Sequence, residues 1–304
     1  MLYIVDHLAY KSYLIKKPYN FIYKLYKPSF KPQILGPISE SNEELGYIVG
    51  INLREINYRD DNLLRKYIEN IKLLLNHKIK TLYIEDSHHM DLDRIKGIEL
   101  ETGLTIARGL TTKLENILPI LEKIYGKRNE SLENKEVLIL CHDKDLARKT
   151  IRSIWDKLNF ISLVNFHEPM MDVQEEIFEE IGISLYQPSI DKINLKTYDI
   201  IINLYDGHVP NTSQARGSSV IFDFSMNKPF LELDMHFVIG DLNFRIDNEK
   251  QGINDLIPHI IPSALYEELI GRKDESFYQI FANNNFHFLD NFISNFYIGI
   301  KGSF

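Results

Sequence analysis

Short runs that are apolar at every position alternate along this chain with longer stretches whose apolar residues recur at every third or fourth position. Val137-Leu-Ile-Leu140 precedes a stripe from Asp145 to Leu158, and Phe160 to Asn165 precedes another from Val173 to Ile181. Ile183 to Tyr186, Asp199 to Leu204, Val220 to Phe224 and Phe237 to Ile239 continue the series of short runs. A run without polar alternation is a strand covered on both faces, and a stripe at helical spacing is the helix that covers it. Strands and helices in strict alternation predict βαβ units around a parallel sheet.

The first half carries the same pattern. Gly46 to Asn52 and Lys80 to Glu85 are strand-like, and so is the shorter Leu104-Thr-Ile-Ala107. Asn62 to Leu75 places Leu63, Leu64, Tyr67, Ile68 and Ile71 on one helical face, and Leu114 to Tyr125 repeats the stripe. The fold class is therefore α/β: two α/β domains, the second a Rossmann-type doubly wound parallel sheet. The polar segment Lys127 to Lys135 is the expected boundary. The expected organisation is a Tyr/Lys/Pro-rich arm over 1–45, an α/β domain over 46–130 and a Rossmann-like domain over 131–250. C-terminal helices over 251–304 complete it, around Leu256 to Leu269 and Phe277 to Phe296, the second open to interruption at Asn283-Asn-Asn285. Pro18, Pro28, Pro32 and Pro37 keep long helices out of the arm.

A length of 304 residues accommodates two such domains. The net charge of -8 argues against a broad basic surface, so no nucleic acid is expected as a partner. No run approaches the roughly 18 apolar residues needed to span a bilayer, and Met1 to His7 does not open a signal peptide. With one cysteine, Cys141, there is no internal disulfide. A cytoplasmic location and no membrane partner are the expectations, with a homodimer as one option and the oligomeric state left open.

Four segments of the second half resemble the cofactor domain of shikimate dehydrogenase and related amino-acid-dehydrogenase-like proteins. Val137-Leu-Ile-Leu140 with Leu146-Ala-Arg-Lys-Thr-Ile151 is similar to that family's first strand and helix. Asn165 stands where the family has Asn-Arg-Thr after the second strand. Tyr198-Asp-Ile-Ile-Ile-Asn203 is similar to Asp-Leu-Ile-Ile-Asn-Ala-Thr, and Val220 to Pro229 to Val-Tyr-Asp-Met-Val-Tyr-Asn-Pro. In the first half, Glu101 to Gly109 resembles the Thr-Gly-Asn turn of the amino-acid-dehydrogenase-like group, with Arg108 at the asparagine. The resemblance implies an NAD(P)-dependent oxidoreductase whose crevice is built from Cys141, His142, Asp143, Asn165, Asn203 and Tyr205.

The departures point the other way. A dinucleotide loop needs glycines for a tight turn, for backbone approach to the pyrophosphate and for helix–strand packing. Here the loop is Cys141-His-Asp-Lys-Asp145, without glycine and with two carboxylates where a diphosphate would lie. Like charges at about 4 Å repel by ~1 kcal/mol in water and by ~4 kcal/mol at an effective dielectric of 20. Asp143 or Asp145 is expected instead to cap the following helix. Phe166 replaces the arginine that would grip an adenosine phosphate, and Leu204-Tyr-Asp-Gly207 is bulkier than Ala-Thr. The motifs carrying shikimate dehydrogenase's catalytic lysine and aspartate are absent from the sequence.

The expected function is thus a divergent dehydrogenase-like protein that has lost ordinary NAD(P) binding and acts as a metabolite- or protein-binding module. The alternative is an active oxidoreductase with NAD(P) in an altered loop. Arg108, Thr111, Gly207, His208 and Arg216 are the candidate ligand-loop residues, with Thr212 and Ser213 beside them. Glu85, His88, His89 and Asp91 have metal-ligand chemistry, but adjacent histidines in a strand face opposite ways, so a solvated loop and helix cap is expected there and no metal. Cys141, beside two carboxylates, is expected to be a buried structural thiol.

Overall fold

The computed structural model describes residues 1–6, 9–10, 32–40, 43–51, 58–76, 78–85, 87, 90–231, 233, 237–247, 256–271, 277–283 and 285–301. Two compact units emerge: Met1–Arg108 with Ile246–Leu269, and Gly109–Arg245 with Ile270–Phe304. They are called unit 1 and unit 2.

Unit 1 contains β1 (Leu2–Val5), β2 (Gln33–Glu40), β3 (Glu43–Gly50), α1 (Asp61–Lys72), β4 (Thr81–Ile84), α2 (Leu92–Thr102) and β5 (Thr105–Ile106). Its sheet runs β2-β3-β1-β4-β5, parallel except for β2 against β3. All four residues of β1 are buried, as a central strand requires. Gly46 lets β3 lie against the start of β1, because a Cβ there would stand 1.6 Å from the Met1 carbonyl oxygen. Both helices begin at an aspartate whose carboxylate accepts from free N–H groups of the first turn. Asp60 accepts from Asn62 and Leu63, and Asp91 accepts from Arg94.

Unit 2 opens with α3 (Leu110–Glu115) and α4 (Ile117–Arg128), then β6 (Glu136–Leu140), α5 (Lys144–Ile154), β7 (Phe160–Val164), α6 (Met171–Ile181), β8 (Ile200–Asn203), β9 (Val220–Asp223) and β10 (Phe237–Arg245). The short β11 (Ile260–Pro262) and α7 (Ser263–Leu269) belong to unit 1. β12 (Gln279–Ala282), β13 (Asn285–His287) and α8 (Leu289–Lys301) return to unit 2. The parallel strands of unit 2 run β7-β6-β8-β9-β10, and β12 and β13 extend them antiparallel. Outside β7, Tyr186 makes a single parallel bridge to Ser162. Counting that bridge as a vestigial strand gives the Rossmann order 3-2-1-4-5-6. β8 and β9 are buried at every position, and β6 and β7 at all but their first. The apolar stripe of α5 buries Ala147, Ile151 and Ile154, and that of α4 buries Ile117, Ile120, Leu121 and Ile124.

Several expectations are corrected. The start of the presumed arm is β1, the middle of a sheet, and its end is β2. Four buried residues were too short a run to stand out. The polar segment 127–135 lies inside unit 2, where α4 leads directly into β6, and residues 246–269 return to unit 1. The helical pattern from Phe277 gives way to the β12–β13 hairpin, with the break at the asparagines that open its turn, before α8 begins. Asn283 supplies the positive φ (48°) at its turn. Leu256 to Leu269 is helical only from Ser263. The Ile183–Tyr186 strand is reduced to one bridge. Asp93 to Thr102, which the sequence periodicity does not mark as an element, falls within α2. The Tyr19 to Tyr26 stretch lies outside the described residues.

Candidate functional site

A doubly wound sheet opens a crevice at the carboxyl ends of its strands, at the point where the order of connections reverses. In unit 2 that point lies between β6 and β8. Leu140 is in register with both Val164 and Asn203, and Asn203 with Asp223. The turns that begin at Cys141, Asn165, Leu204 and Phe224 therefore leave the sheet at one level.

After β6 the chain turns into α5 without glycine. The Asp143 carboxylate accepts from the Leu146 N–H at 2.8 Å and caps the helix. Asp145 sits in the first turn and pairs with Arg148 at 3.1 Å. The nearby cations are engaged by α6: Lys144 meets Asp172 at 2.9 Å, and Arg148 meets Glu176 at 2.6 Å. The hydrogen bond from Lys144 holds the Asp172 carboxyl below its ordinary range. Cys141 is fully buried, with its thiol donating to the Asp143 carbonyl at 3.2 Å.

Three aromatic rings from three neighbouring turns meet above these strand ends. Phe166, after β7, stacks on Tyr205, after β8, with centroids 3.7 Å apart and planes 8° from parallel. His142, after β6, approaches Tyr205 edge-on at 5.8 Å. Tyr205 also lies directly against Gly207, where a Cβ would come within 2.4 Å of its ring. Its N–H donates to the Asn203 side-chain oxygen at 3.2 Å. Phe166 and Tyr205 are both half-buried against the core beneath.

Across β8 and β9 the same edge is polar and buried. Asp223 accepts from the Asn203 amide at 2.9 Å, the Ser225 hydroxyl at 2.6 Å and the Phe230 N–H at 2.7 Å. Burial nevertheless raises the Asp223 carboxyl above its ordinary range, while those donors pull the other way. Asp206 accepts from the Met226 N–H at 2.7 Å and ties the turn after β8 to the turn after β9. On α3, the Lys113 side chain is only 7% exposed; it pairs with Asp241 of β10 at 3.4 Å and lies 5.6 Å from the Phe224 ring centroid.

The residues Cys141, His142, Asp143, Asn165, Asn203, Tyr205 and Gly207 are thus brought to one edge, with His208 exposed beside them. Asn165 uses its side-chain oxygen to accept from the His167 N–H at 3.3 Å. Arg216 belongs elsewhere: it meets Asp199 at 3.2 Å and the carbonyls of Lys196 and Thr197, next to the amino end of β8. The 206–217 segment is anchored by Val209 and Ala215 in the core, and Thr212 and Ser213 sit in its short 3-10 turn. Thr111 stands in the first turn of α3, and Arg108 is the last residue of the first segment of unit 1. In unit 1, Glu85 accepts from the Tyr3 hydroxyl at 3.1 Å and the Asp6 N–H at 2.9 Å. Asp91 is a helix cap, and His88 and His89 lie outside the described residues. Lys113, Asp223, Ser225 and Asp241 were not singled out in the sequence. Polar residues directly after the apolar run Val220-Ile-Phe222 were the available signal for two of them.

No family profile matches the chain, and no curated protein matches it. Solved structures similar to it include L-tryptophan dehydrogenase from Nostoc punctiforme, at 17% identity over 60% of this chain and 53% of that one, with a TM-score of 0.30. Quinate dehydrogenase from Corynebacterium glutamicum in complex with NAD shows 12% identity over 40% of this chain and 45% of that one, also at 0.30. Shikimate 5-dehydrogenase from Listeria monocytogenes, in complex with shikimate and NAD, shows 10% identity over 58% of this chain and 68% of that one, at 0.27. The chain thus spans about half the length of the first two. Among the described residues, no helix is long and apolar enough to cross a membrane.

Proposed function

We propose that this chain is a divergent dehydrogenase-like protein that no longer binds NAD(P) in the ordinary way and uses the carboxyl edge of unit 2 to hold a metabolite or a protein. The observation that supports it most is the Asp143 carboxylate, which takes the Leu146 N–H at the start of α5. In a working dinucleotide site the helix N-terminus offers such N–H groups to the pyrophosphate, and glycine leaves it room. Here a side-chain anion holds one of those donors, and a second, Asp145, stands two residues on. The cations beside them are paired with Asp172 and Glu176. On this reading the turn does not fit a diphosphate, and no hydride-transfer step is assigned to the site.

A thermal-shift screen with NAD, NADP and their reduced forms tests the proposal, because a ligand that binds the folded state stabilises it by RT ln(1 + [L]/Kd). No shift is expected at about 1 mM. A dose-dependent rise with a midpoint in the micromolar range would favour the alternative, an oxidoreductase with an altered loop.

A further inference from the structure

We propose that the outward face of α6 and the β12–β13 hairpin are the two halves of a head-to-tail contact between copies of this chain. Both lie in unit 2, at opposite edges of its sheet. α6 follows the edge strand β7 and leads to the Tyr186 bridge on that strand. Its inward side buries Val173 and Ile177. Met171, Glu175, Phe178 and Glu179 recur at the spacing that places them together on the outward side. Met171 is 55% exposed and Phe178 58%, so an apolar pair stands in solvent two helical turns apart. Three other carboxylates of the helix are matched by cations: Asp172 by Lys144, Glu176 by Arg148 and Glu180 by Arg152. Glu175 and Glu179 are exposed and meet no cation among the described residues.

The hairpin carries the complement. Lys228 Nζ lies 5.6 Å from the ring centroid of half-buried Phe281, which tilts against Phe286 at 5.0 Å. Arg245 Cζ lies 5.6 Å from the ring centroid of half-buried Tyr278, which meets Phe288 edge-on at 5.2 Å. Each cation thus sits on an inner ring beside an outer phenylalanine, and Phe286 and Phe288 are 45% and 44% exposed. Neither cation forms an ion pair among the described residues. An acidic face with exposed apolar residues matches a cationic face with exposed aromatics, in charge and in the surface each would remove from water. Pairing either patch with itself would set like charges face to face. The two cannot meet within one sheet, because β7 and β13 stand at its two ends, about 4.8 Å apart per strand step. The partner is therefore a second copy, and a contact between unlike surfaces closes into a ring or continues as an open chain.

Sedimentation velocity of the full chain, from about 1 µM to about 200 µM, tests this. The wild type is expected to assemble with a Kd below about 100 µM, and more weakly in high salt. Glu175→Lys with Glu179→Lys, and separately Lys228→Glu with Arg245→Glu, should each weaken assembly about tenfold or more. Mixing these two variants in equal amounts should restore it, because each contact between unlike chains again joins opposite charges. Recovery of that kind cannot come from the misfolding of either variant. Met171→Ser with Phe178→Ser leaves every charge in place and should also weaken assembly about tenfold or more. A wild type that stays monomeric at about 200 µM would overturn the inference. So would variants that assemble as the wild type does, as a two-fold dimer through another surface would, or a mixture no more assembled than its parts.

Discussion

The carboxyl edge of unit 2 divides into two halves of opposite character. The turns after β6 and β7 carry exposed carboxylates and, with Tyr205 from the turn after β8, an aromatic column; beneath and beyond it, β8, β9 and β10 carry buried polar groups. In the first half a single Asp143 hydrogen bond closes the helix start, and rings cover what lies beside it. In the second, Asp223 gathers three donors and Lys113 of α3 pairs with Asp241 of β10. Buried polar groups cost free energy unless they are satisfied. The second half is therefore the one where single substitutions should hurt stability most, and the first is where they should act on ligands.

The largest effect is expected from Asp223→Ala, which strands the Phe230 N–H and the Ser225 hydroxyl proton and leaves the Asn203 amide only its contact with Ser225. A loss of about 3 kcal/mol in urea unfolding is predicted from buried donors left without a partner. Lys113→Ala should cost less, about 1–2 kcal/mol, because the Asp241 carboxylate loses the Lys113 charge but is itself one-fifth exposed, at 20%. The double change Lys113→Met with Asp241→Leu should recover much of that loss; if it were as damaging as Lys113→Ala alone, the pair would not be acting as a pair. Asp223→Asn sharpens the point through pH. Burial raises the Asp223 pKa in the folded state above 3.8, so its ionisation opposes folding as pH rises past that value. The stability of the wild type relative to Asp223→Asn should therefore fall as pH is raised from below 3.8 towards neutrality. A difference that did not change with pH would show that Asp223 titrates alike in both states.

Effects in the first half should be smaller. Gly207→Ala drives a Cβ into the Tyr205 ring and should cost about 1–3 kcal/mol, with loss of the Tyr205–Phe166 stack visible in near-UV circular dichroism. Asp143→Ala should cost about 0.5–2 kcal/mol, while Asp143→Asn, also a good cap, should be nearly neutral. If the two variants were equally stable, the cap would contribute nothing. Smallest of all, Arg152→Ala removes exposed contacts to Glu176 and Glu180 and should change stability by less than about 1 kcal/mol, less still in high salt.

The same two halves differ in how much of them the sequence disclosed. The Asp143 cap was legible because an aspartate before a helical stripe has one common use, and local chemistry decides it. The strands of unit 2 were legible for the same reason: complete burial leaves an uninterrupted apolar run. The Phe166–Tyr205 stack was not, because the two residues meet only through the β7-β6-β8 order, which sequence spacing does not encode. Lys113 escaped for a like reason, since the Asp241 it meets lies far along the chain. β2 and the β12–β13 hairpin were missed where Pro32, Pro37 and a run of asparagines broke the pattern. Arg216 was assigned to the wrong edge, because a polar loop does not reveal which end of a strand its side chains return to.

Titration of the wild-type protein with NADH, followed by the nucleotide's own fluorescence, tests most directly whether the glycine-free turn has closed the dinucleotide site. No saturable signal is predicted up to about 1 mM, a limit that corresponds to roughly -4 kcal/mol of binding. Glycine at 142 and 145 should improve affinity if the rest of the crevice is intact. A saturable signal in the micromolar range from the unaltered chain would contradict the account.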